Sequence, residues 1–251
     1  MNPKSLALVF CGLLALSTVA CREQTYQLWN EEDQAPWMRN LLAAEVRLPV
    51  TGTEAAEELS QLLGRAASIP GVAQAAVVDV LPGAPAQRHL IGIKHEGSIS
   101  ERPPASLLVV SPGYFETLEL RLLRGRLFSE RDQAGSPHVA IVGESYSRLQ
   151  NPHGEELLGK RVQIGWRSGP LLTIVGIVQD GPGGEQVSEL YVPYSQHAAL
   201  GLGEGNRDSY LLVRTSGGDQ TGISGALQRD LGVEFQPIQE RLKAYADARE
   251  Q

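Results

Sequence analysis

The sequence has few cysteines, no excess of basic charge and no long apolar run after its first 20 residues, and each absence excludes a class of protein. The two cysteines are Cys11 and Cys21. If the chain is cleaved before Cys21 and Cys21 is acylated, as its surroundings suggest below, the mature protein has no free thiol. It then has no disulfide, no thiolate metal site and no cysteine nucleophile. The 22 basic and 29 acidic residues argue against the clustered basic surface that nucleic-acid binding requires. After Ala20, no apolar run approaches the roughly 18 residues of a membrane-spanning helix.

What is present is an ordinary globular composition. The chain has 251 residues, of which 42% are hydrophobic and 20% are charged. This length and balance predict one or two domains, each with a core, rather than a disordered chain.

The N-terminus has the pattern of an export signal that ends in a lipid-attachment site. Lys4 precedes an almost wholly apolar or small stretch, residues 5–20, which is shorter than a membrane span. Residues 17–21, STVAC, resemble a bacterial lipobox in which Cys21 receives a diacylglyceryl group. Thr18 replaces the usual Leu, and an ordinary signal peptide or an uncleaved anchor is the alternative. We therefore predict a signal peptide over residues 1–20, a lipid on Cys21 and a polar tether over residues 21–38.

These features predict a location at the cell envelope, on the periplasmic side, with the lipid as membrane anchor. Arg22 follows the lipidated residue, where an inner-membrane retention signal usually has Asp. In a cell with two membranes this favours the outer membrane over the inner one.

The order of predicted elements gives an α+β fold with two lobes. A β-α-β unit at the start has strands over residues 42–48 and 72–81, with a helix from Thr53 between them. A second unit near the end has strands over residues 210–214 and 233–236 around a helix. Between the units lie further predicted strands, at residues 89–95, 106–110, 139–142, 161–166, 171–178 and 190–194. Short helices are predicted over residues 114–120 and 144–149, and a last one over 238–248.

Residues 143–147, GESYS, suggest a serine hydrolase as the rival class. They follow an apolar strand and enter a helix, and Asp180 and His197 come after Ser145 in the order of α/β-hydrolases. However, the fifth position is Ser rather than Gly, and no sequence for an oxyanion-hole loop is present. The interpretation of Ser145 as a helix residue without catalytic function is therefore favoured.

Two other patterns resemble binding sites less closely. Residues 154–160, GEELLGK, have the glycine and lysine spacing of a phosphate loop, but Arg161 stands where the magnesium-binding hydroxyl belongs. The five histidines are scattered, and His89 and His95 would lie roughly 20 Å apart along one strand. We therefore expect no catalytic residue, no nucleotide, no cofactor and no metal ligand.

A set of motifs resembles the periplasmic core domain of MacB-type ABC transporter permeases, in particular the duplicated orphan permeases of acidobacteria. The most specific are residues 110–118, VSPGYFETL, and residues 123–128, LRGRLF, followed by Arg131 and Asp132. Further matching stretches occur in the family's order at residues 69–72, 139–142, 158–161, 173–178, 189–194 and 212–215, and the resemblance covers about residues 40–245. It implies a porter-like lobe over residues 39–108 and 189–251, with an inserted β-rich lobe over residues 109–188.

The resemblance also implies a function without catalysis. Such domains stand above the membrane, contact substrates or partner proteins, and transmit motion to a cytoplasmic ATPase. This sequence departs from the family because it lacks ATPase motifs and the flanking membrane helices. We therefore expect a lipoprotein that binds a protein or ligand of envelope transport, with an ABC transporter or an adaptor protein as the expected partner.

The predicted processing is tested by mass spectrometry of the mature N-terminus. We expect the chain to start at Cys21 and to carry at least two acyl chains, which suffices for stable anchoring. Cys11→Ala should leave the mass of the mature N-terminus unchanged and should alter at most the efficiency of processing. Cys21→Ala should abolish the lipid. A mature N-terminus elsewhere, or an unmodified Cys21, would show that the lipobox assignment is wrong.

Overall fold

A computed structural model describes residues 36–48, 53–84, 89–97, 102–151, 154, 156–165, 169–182, 184, 187–200 and 207–247. The predicted signal peptide, Cys21 and most of the predicted tether lie outside these residues. Pro36–Met38, at the end of the N-terminal segment, forms a 3-10 turn. The unit that begins at Asn40 contains all the other elements.

This unit has eleven strands and five helices in the described residues, which confirms the predicted α+β class. The strands are β1 (Leu41–Leu48), β2 (Val72–Val78), β3 (His89–His95), β4 (Arg102–Val110), β5 (Leu122–Gly125), β6 (Val139–Gly143), β7 (Arg161–Ile164), β8 (Leu171–Val178), β9 (Glu189–Pro193), β10 (Arg207–Thr215) and β11 (Gln236–Pro237). The helices are α1 (Thr53–Ser68), α2 (Tyr114–Thr117), α3 (Glu144–Gln150), α4 (Gln220–Leu231) and α5 (Ile238–Asp247).

The two β-α-β units interleave in one sheet. The strand order β11-β1-β10-β2 places a strand of each unit between the two strands of the other, with all neighbours antiparallel. Helix α1 packs on β1, β2 and α4, and its buried face consists of Ala55, Leu59 and Ala66. The Asp219 carboxylate accepts a 2.9 Å hydrogen bond from the Gly222 amide at the start of α4, and Gly232 ends that helix at φ 72°.

Strand β4 connects this sheet to a ring of six strands. It pairs with β2 at one position, with β3 along the same edge, and with β9 along the opposite edge. From β3 the pairing continues through β7, β8, β6 and β9, and so returns to β4. One continuous cluster of buried apolar side chains extends from Leu42 and Val213 in the sheet to Ile174 and Leu190 in the ring.

Several predicted boundaries were wrong. Strand β2 ends at Val78 and not at residue 81, and β10 begins at Arg207 and not at residue 210. Strand β4 begins at Arg102 and not at residue 106, because its pairing with β3 shifts register where Pro103 and Pro104 cannot donate hydrogen bonds. Helix α2 ends at Thr117 and not at residue 120. The last strand is Gln236–Pro237 and not residues 233–236.

Strand β5 was missed altogether. All four of its residues are exposed, so they show no alternation of apolar and polar side chains. It forms because its backbone pairs with β8. The predicted boundaries between two lobes stay a prediction. No helix in the described residues is long and apolar enough to cross a membrane.

The pairing of β5 with β8 requires a very close approach of two backbones at Gly176. A Cβ at Gly176 would lie 2.3 Å from the Arg126 carbonyl oxygen, whereas a Cβ at Gly92 in β3 would meet nothing within 4 Å. We expect Gly176→Ala to lower the free energy of unfolding by about 1–3 kcal/mol or more. Gly92→Ala is the matched strand control and should change it by less than about 1 kcal/mol.

Urea denaturation monitored by circular dichroism measures both free energies. Equal free energies of unfolding for the two variants would mean that the pairing of β5 with β8 does not contribute to stability.

Candidate functional site

The motif residues converge where β2, β4 and β9 meet. The Val77 amide donates a 2.8 Å hydrogen bond to the Ser111 hydroxyl, and the Ser111 amide donates to the Val77 carbonyl at 2.9 Å. Next to this pair, the Val109 amide donates to the Asp79 carboxylate at 2.8 Å. Side chains therefore hold together two strands that share a single backbone pair, Val78 and Val110.

An aromatic cluster fills the space beneath α2. The Phe115 ring is 2% exposed and lies 5.1 Å from the Tyr191 ring, 5.5 Å from Tyr114 and 6.0 Å from Phe128, between ring centroids. The interplanar angle of 76° with Tyr191 is an edge-to-face contact, a favourable arrangement for aromatic rings. The ring partners of Phe115 come from β9 and from the segment around α2.

Helix α2 itself packs on β2 and β10, and a buried arginine fixes its end. The Arg214 guanidinium donates to the Thr117 carbonyl at 2.5 Å and lies 3.7 Å from the Glu119 carboxylate. Glu119 has a φ of 57°, a left-handed conformation that terminates the helix. Burial lowers the pKa of Arg214. Arg214 was not predicted as a structural residue, although a single arginine within the apolar stretch LLVRT was a signal.

A second buried acid lies at the start of β9. The Glu189 carboxylate accepts a 2.6 Å hydrogen bond from the Tyr191 hydroxyl and a 3.2 Å bond from the Gly181 amide. Burial, followed by the charge of Glu189, raises the pKa of Tyr191 well above its ordinary value. The hydroxyl therefore stays protonated and donates to the carboxylate.

The residues of the rival hydrolase hypothesis do not form a catalytic triad. The Ser145 side chain is fully buried, and its hydroxyl donates to the Val187 carbonyl at 2.5 Å. Asp180 accepts from the Ser145 backbone amide at 2.6 Å and pairs with Arg148 at 3.4 Å. The His197 ring stacks near Tyr194 with centroids 6.5 Å apart. A nucleophilic serine needs its hydroxyl bonded to a base, and this hydroxyl is bonded to a backbone carbonyl instead.

The amides of the phosphate-loop-like segment are already bonded within the protein. The Gly159 amide donates to Ile174, and the Lys160 amide to Leu157. The Leu158 amide donates to the Glu156 carboxylate at 3.0 Å. These N–H groups are therefore not directed at a bound anion, as a phosphate loop requires.

The histidines within the described residues lie at separate places. The imidazole Nε2 of His89 is 4.0 Å from the Asp79 carboxylate, and that of His95 is 3.1 Å from the Tyr146 hydroxyl. No group of three metal-ligating side chains occurs in the described part of the chain.

The second motif forms a rigid turn after β5. The Arg126 guanidinium makes two hydrogen bonds with the Asp132 carboxylate, at 2.7 and 2.8 Å. The same carboxylate accepts from the Ser129 amide at 2.8 Å. The hydrogen bond with Arg126 is the main cause that lowers the pKa of Asp132. A bidentate pair of this kind stabilises a loop, and its acid is buried.

A small cavity lies where β2, β4 and β9 meet, and its volume is about 20 Å³. Sites for drug-sized ligands occupy roughly 300–1,000 Å³, so this cavity does not accommodate such a molecule. The place where β2, β4 and β9 meet is therefore a packing centre. The side chains that could contact a partner are the exposed ones around it.

Comparisons with known proteins identify the family and the fold of this chain. The model of the MacB-like periplasmic core domain family matches residues 25–229. The structure is similar to the crystal structure of the periplasmic region of MacB from Actinobacillus actinomycetemcomitans, with a TM-score of 0.55 and 17% identity over 83% of this chain and 93% of that chain. The extracellular domain of the ABC-type transporter YknZ from Gram-positive bacteria has a TM-score of 0.49 and 18% identity over 77% and 98%. At these identities the structures show the fold alone. No curated protein sequence matches this chain.

The packing role of the aromatic cluster is tested by Phe115→Ala. Removal of a buried phenylalanine costs about 3–5 kcal/mol, a large part of the 5–15 kcal/mol that stabilises a typical domain. We expect the melting temperature to fall by several degrees, or the variant not to fold. Leu122→Ala is the control, since Leu122 is 40% exposed and should matter by about 0.5 kcal/mol or less. Equal melting curves for both variants would contradict a core position for Phe115.

Proposed function

Because this chain belongs to the MacB-like periplasmic core domain family, we propose that it acts without catalysis as an extracytoplasmic interaction domain of an envelope transport system. The family supplies the periplasmic or extracellular parts of ABC transporter permeases. The proposed partner is therefore a protein of such a system, either a transporter or an adaptor.

The observation that carries this proposal is the use of the family's motif residues within the described structure. Ser111 joins two strands, Phe115 fills the core, and Asp132 fixes a turn through Arg126. None of these side chains presents an unbonded nucleophile or base at a cleft. These side chains maintain the scaffold, and a protein partner would contact the exposed side chains that the scaffold positions.

Attachment through Cys21 forms the second part of the proposal. The lipid would hold the domain at the envelope, and residues 21–38 would act as the tether. Arg22 favours the outer membrane where two membranes exist. The proposed division into a porter-like lobe, residues 39–108 and 189–251, and an inserted lobe, residues 109–188, gives the partner two surfaces. A small apolar ligand bound between the two lobes is the alternative to a protein partner.

The serine hydrolase alternative receives no support from the contacts of its residues. Ser145 is buried and bonded to a backbone carbonyl, and Asp180 is bonded to a backbone amide and an arginine. Hydrolysis would require Ser145 to leave these contacts and to reach His197.

Photo-crosslinking in living cells tests the interaction. A photoreactive side chain replaces Leu90, Leu122 or Leu149, which are 66%, 40% and 45% exposed. We expect at least one position to give adducts with a permease or an adaptor of an ABC transporter, identified by mass spectrometry. Cys21→Ala should reduce the adduct yield several-fold, because a lipid anchor raises the effective concentration at the membrane.

A control variant carries the same photoreactive group in place of buried Phe115, where it should give no adduct with another protein. Adducts with proteins unrelated to transport at all three exposed positions would contradict the proposed partner. An unchanged yield with Cys21→Ala would contradict only the role of the anchor.

A further inference from the structure

Strand β5 is paired along one edge only within the part of the chain that the structure describes. Its neighbour is β8, and all four of its residues are exposed. Before β5, the Arg121 carbonyl accepts a 2.9 Å hydrogen bond from the Gln179 amide. After it, the Arg126 amide donates to the Val175 carbonyl at the same distance. Because the bonds of an antiparallel ladder alternate, the backbone N–H and C=O of Leu122 point away from β8. The strand therefore presents an open edge.

Two glycines hold this edge in a fixed position. A Cβ at Gly125 would overlap the Val175 carbonyl oxygen, and a Cβ at Gly176 would overlap the Arg126 carbonyl oxygen. The backbones of β5 and β8 are therefore packed directly against each other. An edge that is fixed before binding loses less conformational entropy when another strand pairs with it.

The exposed side chains along this edge are apolar and cationic. Leu122 and Leu123 are 40% and 38% exposed. Arg121 donates to a side-chain amide oxygen, which is neutral, at 3.3 Å. Arg124 pairs with Glu156, but both side chains are about half-exposed. Surface ion pairs of this kind contribute little stability, so a carboxylate from a partner is able to replace Glu156.

The other charged groups next to β5 are occupied within the protein. Arg126 makes two hydrogen bonds with the Asp132 carboxylate. Glu119, the acid closest to Arg121 in the sequence, lies 3.7 Å from the Arg214 guanidinium. The edge therefore has a local excess of positive charge, although the net charge of the chain is -7.

We propose that the open edge of β5 is where the partner of this domain binds, by adding an extended acidic segment of its own as a further strand. The inference rests on the proposed function and specifies the chemistry of the partner. The added segment carries a carboxylate for Arg121 and apolar side chains for Leu122 and Leu123. Main-chain hydrogen bonds to the edge supply affinity, and these side-chain contacts supply specificity.

A second copy of this chain fits the edge less well than an acidic segment does. Pairing of β5 with itself would bring together two strands that each carry Arg124 and are flanked by Arg121 and Arg126. Like charges on neighbouring strands are destabilising. The same repulsion disfavours basic segments of other proteins.

Photo-crosslinking of the full-length chain in living cells tests the location. A photoreactive side chain in place of Leu122 or Leu123 should form adducts with a permease or adaptor of an ABC transporter. The same group in place of Leu90, which is 66% exposed in β3, should form none with that protein. Adducts with a transport protein at Leu90 but not at β5 would overturn this inference and leave the proposed function intact.

Two other crosslinking results are also decisive. The absence of adducts with any transport protein at every exposed position would contradict both the proposed function and this inference. Adducts between two copies of the chain at β5 would assign the edge to self-association and would overturn the acidic partner.

Arg121→Glu tests the charge of the partner. It should reduce the adduct yield at Leu122 several-fold, because the partner's carboxylate would then face a like charge. Arg121→Lys should retain most of the yield. Arg47→Glu is the matched control, since Arg47 is also exposed and lies in β1, and it should leave the yield unchanged. Melting curves verify that each variant is folded. Equal yields for Arg121→Glu and Arg47→Glu would show that the partner is not recognised by its acid.

Amide hydrogen exchange of the purified complex tests strand addition itself. The amides of β5 should exchange several-fold more slowly in the complex than in the free protein, because the added strand accepts hydrogen bonds from the open edge. The amides of β3, which has strand neighbours on both edges, should change little. Crosslinking at β5 without slower exchange there would mean that only side chains are in contact, and would overturn strand addition.

Discussion

One edge of β4 pairs first with β3 and then, near the end of the strand, with β2. The hydrogen bonds made where the neighbour changes determine how the sheet is joined to the ring. Between the last pair with β3, at Leu107, and the single pair with β2, at Val110, the backbone of β4 needs other partners. Asp79 accepts from the Val109 amide, and Ser111 accepts from Val77. Without these side chains, buried amides would stay unpaired at about 1–3 kcal/mol each. The opposite edge of β4 binds β9, and the strand therefore belongs to both the sheet and the ring.

Burying acids at this junction, and a guanidinium in β10 at the end of α2, has structural consequences. A buried charge is tolerated only with hydrogen-bond or ionic partners. Arg214 meets this need at the end of α2, through the carbonyl of Thr117 and the carboxylate of Glu119. The helix therefore stops after one turn, and Glu119 takes a left-handed conformation. A long-range contact has fixed an element boundary that local helical preference would place later.

The sequence predicted best where side-chain pattern and turn chemistry agree. The strand at His89–His95 matches the prediction at both ends, and Gly232, in the left-handed conformation that favours glycine, closes α4. The α+β class and the family were also predicted from the sequence. Strand β5 was not, because an exposed four-residue strand carries no periodic signal and depends on its neighbour. The early start of β4 was missed because two prolines normally argue against a strand, and here a register shift accommodates them.

Less of the candidate site than of the fold was predictable, because hydrogen bonds across the chain carry no local pattern. The motif that contains Phe115 was recognised in the sequence, but Tyr191 was not identified as its neighbour. Nothing in the local pattern indicated that Asp79, Glu189 and Arg214 would be buried, although each interrupts an apolar run. A charged residue inside a buried strand is the signal that sequence reading should weigh more heavily.

The motif at residues 110–118 is mostly buried, whereas residues 123–128 are exposed or half-buried and act through the buried Asp132. This separates what the motifs preserve from what they leave open. Ser111, Phe115 and Asp132 hold strands, core and turn in place, so similarity at these positions maintains the scaffold. A partner contacts exposed side chains, and Leu90 and Leu149 belong to that group. Family membership therefore predicts the shape of the domain more closely than the identity of its partner. Partner choice depends on exposed residues, which are free to change without loss of the fold.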